Sequence, residues 1–543
     1  MPSRSTLSPQ PKTAKVRQSP ARTVTGTKKR YSKTKLGCKT CKVRKIRCDE
    51  TSPICNNCIK SGRRCDGVAI AANKDGELTF TAPLTLTHFR PTQTGWLSQQ
   101  ELAHLDRFRQ ELIYSIVGPT GTPAWKRLIL QAVHEEVALC HAVVAFSALG
   151  TNNAPSMSSM DSPSASESSM STPPPGVSAR ENEFALKHYG KALEAMRHVY
   201  RYDDSRSINT ALLCTLLCIC FELRIREPAI ALTHLEHGLQ VIDSNLQNID
   251  SAITAAFGRL DLQAAIFLGI RPPALNPERV RSQIFVFDGV FQEAEHVLAS
   301  LANRAWKFIR STADEYRYRD SEVPGDETIA EALAIDVALH EFNERYLQAG
   351  SRVERMSADQ FATLRIDYLS TLITMGCCLC TDESAYDQYA DSFVEIVNLA
   401  CGVISRQQAT KQRFSSGRNE FQLDMAVIHP LYTTALKCRS PVTRRRAIEA
   451  LYSGPELEGA FEGIVSAKIA EKVVAFEESG VQFSLNKMRE GELLRIPKNK
   501  LIHSVDIYIE PPQRRASVYF SRRLVTPDGS CGDWDNVRED IAW

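Results

Sequence analysis

The chain of 543 residues holds 66 Lys and Arg against 63 Asp and Glu, a formal net charge of +3, with 43% hydrophobic residues and 16 cysteines. Its N-terminus has no apolar signal core, and no apolar run reaches the roughly 18 residues of a membrane span, so the composition argues against a secreted or membrane-spanning chain. The small net charge hides a division: residues 1–66 carry 18 Lys and Arg against three Asp and Glu, and the rest of the chain is acidic. A basic head of this kind seeks a polyanion, and its binding should weaken steeply with salt.

In chain order, residues 1–36 are mostly Ser, Thr, Pro, Lys and Arg. They lack the apolar side chains to build a core and are expected to form a disordered basic arm. KKRYSKTK, at 28–35, suits a nuclear localisation signal or a flexible phosphate-binding arm.

Residues 38–65 read CKTCKVRKIRCDETSPICNNCIKSGRRC. The pattern C-x2-C-x6-C occurs twice, at an offset of 17 residues. Zinc prefers four ligands in a tetrahedron and accepts thiolates readily. Six cysteines overfill one such site, whereas two sites need eight ligand positions. Six thiolates fill eight positions only if two of them bridge both ions. The pseudo-symmetric solution uses Cys38 and Cys55 as bridges, with Cys41, Cys48, Cys58 and Cys65 terminal. Three disulfides are the competing reading. The other ten cysteines lie singly or in apolar runs, as reduced cysteines do inside cells, which favours zinc.

This stretch closely resembles the fungal binuclear zinc cluster, the six-cysteine DNA-binding domain of fungal transcription regulators. Pro53, two residues before the fourth cysteine, is in keeping with that pattern. The resemblance implies a small zinc-stabilised DNA-binding domain with two short helices over 37–67. It implies two Zn2+, double-stranded DNA as partner, and a nuclear regulator of RNA polymerase II genes that reads CGG-like triplets. The halves differ in their basic residues. KVRKIR supplies Lys42, Arg44, Lys45 and Arg47, with Val43 and Ile46 spaced to cover one face of a short helix and leave Arg44 and Lys45 outward. Arg and Lys suit the guanine O6 and N7 acceptors of the major groove. By resemblance, Arg44 and Lys45 occupy the base-reading positions. IKSGRR supplies Lys60, Arg63 and Arg64, expected to hold phosphates.

Residues 68–95 form a linker without sustained heptads, interrupted by Pro83 and Pro91. Family-style dimerisation through a coiled coil is therefore not expected, and a homodimer through the helical region stays open. From Trp96 the pattern turns helical. Ser98 and Glu101 have capping-box spacing, and Leu102, Leu105, Phe108 and Leu112 recur at helical steps. Further helices are expected at 125–149, 185–200, 210–224 and 229–242. A Ser/Pro-rich insert at 151–180 is expected to be a disordered loop. KLIHSVDIYIE and RASVYFSRRLV, near the C-terminus, read as short strands or loops. Residues 96–543 resemble the all-helical regulatory region of fungal zinc-cluster regulators, carried by TALLCTLLCICFELRIREPAIALTHLEHGLQVI and FGRLDLQAAIFLG. That region implies control through co-regulators or a small-molecule effector.

Other motifs read as packing. His134 and His141 lie seven apart, on one helix face, without zinc-protease spacing. His234 and His237 have no third ligand in view. Cys214, Cys218 and Cys220, and Cys377, Cys378 and Cys380, sit in apolar runs as small hydrophobes. No phosphate-binding loop, dinucleotide fingerprint or nucleophile elbow occurs, so no motif argues for an enzyme. The competing class is a zinc-stabilised interaction module that binds nucleic acid without sequence selectivity.

Overall fold

The computed structural model describes residues 37–51, 54–63, 65, 96–117, 123–149, 177–199, 204–275, 289–318, 323–348, 350–414, 421–510, 514–525 and 531–543. The expected basic arm, the linker, Pro53, Arg64 and residues 151–176 of the insert lie outside them. Contacts divide the chain into two compact units, 1–91 and 92–543.

In the first unit, α1 (Lys39–Val43) and α2 (Asn56–Lys60) begin directly after Cys38 and Cys55, which are their N-cap residues. Helices of five residues are too short to persist alone. Their support is sulfur: Cys38, Cys41, Cys48, Cys55 and Cys58 are buried together, with Cys65 against them. Val43 and Ile46 do not share a buried helix face as the spacing predicts. The helix ends at Val43, and Lys45 turns into the left-handed region (φ 54°), carrying Ile46 away. Val43 is 74% exposed and Ile46 41%.

The second unit is mainly helical. Ser98 and Glu101 close the capping box at the start of α3 (Gln99–Arg107): Ser98 Oγ accepts the Glu101 N–H at 3.3 Å, and Glu101 Oε2 accepts the Ser98 N–H at 2.6 Å. A π-helical turn, Phe108–Leu112, leads into α4 (Ile113–Val117). Leu105 and Phe108 face the core, but Leu102 is exposed. The stretch 125–149, whose periodicity predicts one helix, is split between α5 (Pro123–Glu135) and α6 (Val137–Ala148). The extended backbone of Glu136 bends the chain by 116° there. His134 and His141 therefore stand on different helices, not on one face. The first helical group ends with α7 (Val177–Val199), α8 (Ser205–Arg224), α9 (Pro228–Asn245) and α10 (Ser251–Leu268). Helix α7 begins inside the stretch whose composition predicts a loop to 180.

By length and mean hydropathy, α8 (1.5) and α10 (1.2) could each cross a bilayer, contrary to the expectation that no segment is long and apolar enough. In this fold 83% of the most apolar window of α8 is buried among its neighbours, so its apolar surface is used as core.

A second helical group contains α11 (Val290–Phe308), α12 (Asp314–Tyr318), α13 (Asp326–Phe342), α14 (Ala358–Cys377), α15 (Ala390–Phe414), α16 (Ile428–Lys437), α17 (Pro441–Ser453) and α18 (Gly463–Glu478). Each group has its own hydrophobic cluster. A three-stranded sheet stitches them together. Strand β1 (Phe421–Gln422) runs parallel to β2 (Leu457–Glu458), which is antiparallel to β3 (Phe461–Glu462). Phe421 and Leu457 pack into the first cluster and Phe461 into the second.

The same β2 strand caps α16. Buried Glu458 accepts the backbone N–H groups of Ala426 (3.0 Å), Val427 (2.9 Å) and Ile428 (2.8 Å), donors that a helix N-terminus leaves unmatched. Burial pushes its carboxyl up to about 7, against the pull of those three donors. Glu458→Ala strands the donors in a dry site and should cost about 3 kcal/mol. The urea midpoint of the helical unit should fall accordingly, with Glu458→Gln intermediate. An unchanged midpoint in the Ala variant would refute this capping role.

At the C-terminus, β4 (Ile502–Glu510), β5 (Arg515–Val525) and β6 (Cys531–Ala542) form an antiparallel sheet with β5 central. Val518 and Phe520 pack with Val465, Ile469 and Val473 of α18. The two candidate strands are thus real and longer than short strands or loops. Strand β6 has no counterpart in the sequence reading. Its Trp534, Val537 and Ile541 are spaced like a helix face, and pairing with β5 decides its conformation.

Candidate zinc and nucleic-acid site

The six sulfurs form two groups of four: Cys38, Cys41, Cys48 and Cys55, and Cys38, Cys55, Cys58 and Cys65. Cys38 and Cys55 belong to both. Within the cluster the Sγ atoms of Cys38 and Cys55 are 3.7 Å apart, those of Cys38 and Cys58 3.8 Å, and those of Cys41 and Cys55 3.7 Å. Disulfide sulfurs bond at about 2.0 Å. Four sulfurs about 2.3 Å from a tetrahedral ion stand about 3.8 Å from one another. The donor set therefore fits two zinc ions sharing two thiolates, and all six cysteines are free. Burial raises the thiol of Cys38 to about 12 and raises Cys55 and Cys58 as well, so thiolate at these three calls for cations beside it, whereas backbone N–H groups of Cys38 and Glu50 lower Cys48 against the push of burial.

Sequence reasoning missed the polar ties between the halves. Asp49 accepts the N–H of Asn56 (2.9 Å) and of Asn57 (3.3 Å), capping α2 from the end of the first half. These bonds and that of Thr51 hold the Asp49 carboxyl well below its usual range. Asn57 Nδ2 donates to the Arg47 carbonyl at 2.8 Å. An acidic residue just after a ligand cysteine, ahead of a second helix start, was the available signal. Arg44 Nη1 donates to Ser61 Oγ at 2.9 Å, so Arg44 is half-buried and braces the two halves instead of pointing freely outward. Lys42, Lys45, Arg47, Lys60 and Arg63 are exposed.

The 17-residue repeat reaches beyond the cysteines. It places Lys45 over Gly62, and both are left-handed, at φ 54° and 61°. Glycine adopts this region freely, whereas an L side chain costs about 1–2 kcal/mol there.

Elsewhere, Glu101, His141 and His188 form another group with metal-ligand spacing. His188 Nε2 lies 3.4 Å from Glu101 Oε1, and its Nδ1 lies 3.2 Å from His141 Nδ1. The ring of His188 thus bridges its neighbours through both nitrogens. These contacts tie α3, α6 and α7 together. Burial, helped by Lys191, lowers His188 to about 4, which keeps its ring uncharged at neutral pH, while Glu101, lowered by its bonds to Ser98 against the push of burial, stays a carboxylate. His234 Nε2 meets the Tyr189 hydroxyl at 3.0 Å. Burial raises Cys377 and Cys378 to about 12, as inert core thiols require.

Residues 36–75 match the family described as the fungal Zn(2)-Cys(6) binuclear cluster domain, which binds two zinc ions. An uncharacterized transcriptional regulatory protein of Schizosaccharomyces pombe is 54% identical over 50 residues, 9% of each chain. The transcriptional regulatory protein moc3 of the same yeast is 56% identical over 55 residues, 10% of this chain and 11% of its own. A longer match, 25% identical over 227 residues, covers 38% of this chain and 34% of the aspercryptin biosynthesis cluster-specific transcription regulator atnN of Emericella nidulans. The chain thus spans about a tenth of the first two relatives and about a third of the last. No solved structure matches it.

Proposed function

We propose that this chain, which carries a fungal Zn(2)-Cys(6) binuclear cluster domain ahead of a large helical unit, is a sequence-specific DNA-binding regulator of RNA polymerase II genes in the nucleus. Cys38, Cys41, Cys48, Cys55, Cys58 and Cys65 are the ligands, with Cys38 and Cys55 shared. The metals act as cross-links that give a segment without an apolar core one shape. Lys42, Arg44, Lys45 and Arg47 then present a basic edge to the major groove, with Lys45, and Arg44 on leaving its bond to Ser61, reading a CGG-like triplet. Lys60, Arg63 and Arg64 hold phosphates. The helical unit receives the controlling input, from co-regulators or a small-molecule effector, and provides any surface for a homodimer.

The observation that carries this reading is Lys45. A lysine stands in a left-handed turn where the equivalent residue of the repeat is glycine. Strain kept at such a point suggests that its side chain is needed. Lys45→Gly should therefore move two quantities in opposite directions. The zinc-loaded protein should gain up to about 1 kcal/mol in cluster stability. Binding to the preferred DNA site should weaken by about 1–3 kcal/mol, with selectivity relaxed at the contacted base. Selection of bound sequences from a random DNA pool by the full-length protein, at physiological salt, supplies the preferred site. Enrichment of a CGG-like triplet by wild type but not by Lys45→Gly is the expected result. Retained, salt-sensitive binding without any enrichment would instead establish the non-selective nucleic-acid module.

A further inference from the structure

A cavity of about 120 Å³ is walled by α10, α11 and α14 and by the entry to α16. Most of the wall is apolar, including Ile266, Leu298 and Trp306. Three carboxylates also line it: Glu295, Asp367 and Asp424. Only Asp424 is matched, by Arg259 Nε at 3.1 Å. Glu295 and Asp367 make no side-chain hydrogen bond or ion pair among the described residues. Both are only partly exposed and sit deep in the fold beside the cavity.

The wall therefore sets three carboxyl groups against one cation, Arg259. His429 also lines it, but burial and the nearby Arg310 lower its pKa to about 4, so it supplies no positive charge at neutral pH. Burial raises Asp367 well above the carboxylate range, and Glu295, Glu458 and Asp424 raise it further, so in the empty cavity it is a neutral acid that gives up its proton only when a cation is set beside it. Burial also raises Glu295, though Arg259 pulls it back. Two hydroxyls of the same wall, Thr363 Oγ1 and Ser370 Oγ, are buried without partners. Polar groups in such surroundings ordinarily find partners, so these point to something that completes the site.

A bare metal ion does not fit. Among the described residues, only the cysteine cluster and the Glu101–His141–His188 group bring side chains to metal-ligand spacing, and the cavity carboxylates do not. An apolar wall with unmatched acids suits an organic cation instead. We infer that this cavity binds a small organic cation, an ammonium group carrying an apolar substituent, with the charge set against Asp367 and Glu295. The apolar part would lie along Ile266, Leu298 and Trp306. This rests on the proposal that the helical unit receives a small-molecule effector, and it gives that effector a chemical class. Occupancy would bridge α10 of the first helical group to α11 and α14 of the second.

The test uses full-length, zinc-loaded protein and three probes of one shape: benzylamine as the ammonium ion, benzyl alcohol and benzoate. Binding is read by calorimetry and by the melting temperature of the helical unit. Benzylammonium should bind at least about ten-fold more tightly than benzyl alcohol, and benzoate more weakly than either. Asp367→Asn should erase that preference. It removes an unmatched buried carboxyl group, so the variant should fold at least as well, and its own melting temperature checks this. Equal or tighter binding of benzyl alcohol or benzoate would overturn the cation assignment and leave the effector reading standing. No binding of any probe at millimolar concentration would overturn the cavity as a ligand site and, with it, the effector reading at this place. Neither result touches the DNA-binding proposal, which has its own selection experiment.

Discussion

Chelating zinc from the full-length protein should unfold residues 38–65 and abolish DNA binding, while the helical unit keeps its circular-dichroism signal. The reason lies in what the first unit buries. Its interior is cysteine, its two helices have five residues each, and Val43, Ile46, Ile54 and Ile59 all lie on the surface. Removing the metals leaves no hydrophobic cluster among the described residues of this unit to hold the chain. Structural zinc supplies roughly 10–16 kcal/mol at pH 7 in small zinc-folded peptides, far more than short helices and a few caps can replace. The bridging geometry adds a finer expectation. Cys38 and Cys55 each belong to both four-sulfur groups, so Cys38→Ala should weaken both zinc sites, whereas Cys41→Ala should weaken one. Zinc release against a colorimetric chelator distinguishes the two. A chelated protein that still footprints DNA would contradict the account.

The second large effect is expected in the helical unit, at Arg444. This side chain is fully buried, with Nε and Nη2 hydrogen-bonded and Nη1 without a hydrogen-bond partner, 3.7 Å from Glu478 Oε1. Its Nε donates to the Ala435 carbonyl at 2.9 Å and its Nη2 to the Leu436 carbonyl at 3.1 Å, both in the last turn of α16. These are carbonyls that a helix C-terminus leaves unmatched, at the negative end of its dipole. The same Nη2 donates to Glu477 of α18, and Glu477 Oε1 accepts the Ile502 N–H at 2.8 Å where β4 begins. One residue of α17 thereby ties together α16, α18 and the C-terminal sheet. Arg444→Ala leaves Glu477 buried without its partner and should destabilise the unit by about 3–5 kcal/mol. Chemical denaturation of the full-length protein measures this. In the double variant Arg444→Met with Glu477→Gln, part of the loss should return, because the stranded charge is gone. A single variant within about 0.5 kcal/mol of wild type would show that the network contributes little.

The zinc cluster was legible because its chemistry is written in local spacing. Two C-x2-C-x6-C repeats limit how six thiolates can serve two ions, and the structure brings Cys38 and Cys55 into both groups of four. The capping box at Ser98 and Glu101 and the apolar helices around Cys214 and Leu239 were legible for the same reason, since each signal repeats within a few residues. What local pattern could not supply are contacts between residues distant in the chain. The break at Glu136 separates two histidines that helical spacing puts on one face, while folding brings His141 to His188 and Glu101. Strand β6 exists because β5 offers it a pairing edge, though its apolar spacing is helical. Arg44 braces Ser61 across the two zinc-binding halves, and Glu458 caps a helix 30 residues earlier in the chain. The cavity draws its unmatched acids from α11 and α14, whose own sequences show ordinary solvated charges. Sequence by itself determined the metal chemistry, the basic head and the helical class, since charge and short-range periodicity are properties of neighbours along the chain. Only the tertiary structure decided which charges are buried, which are matched and which stand empty-handed around a cavity, because desolvation and pairing depend on what the rest of the fold brings alongside.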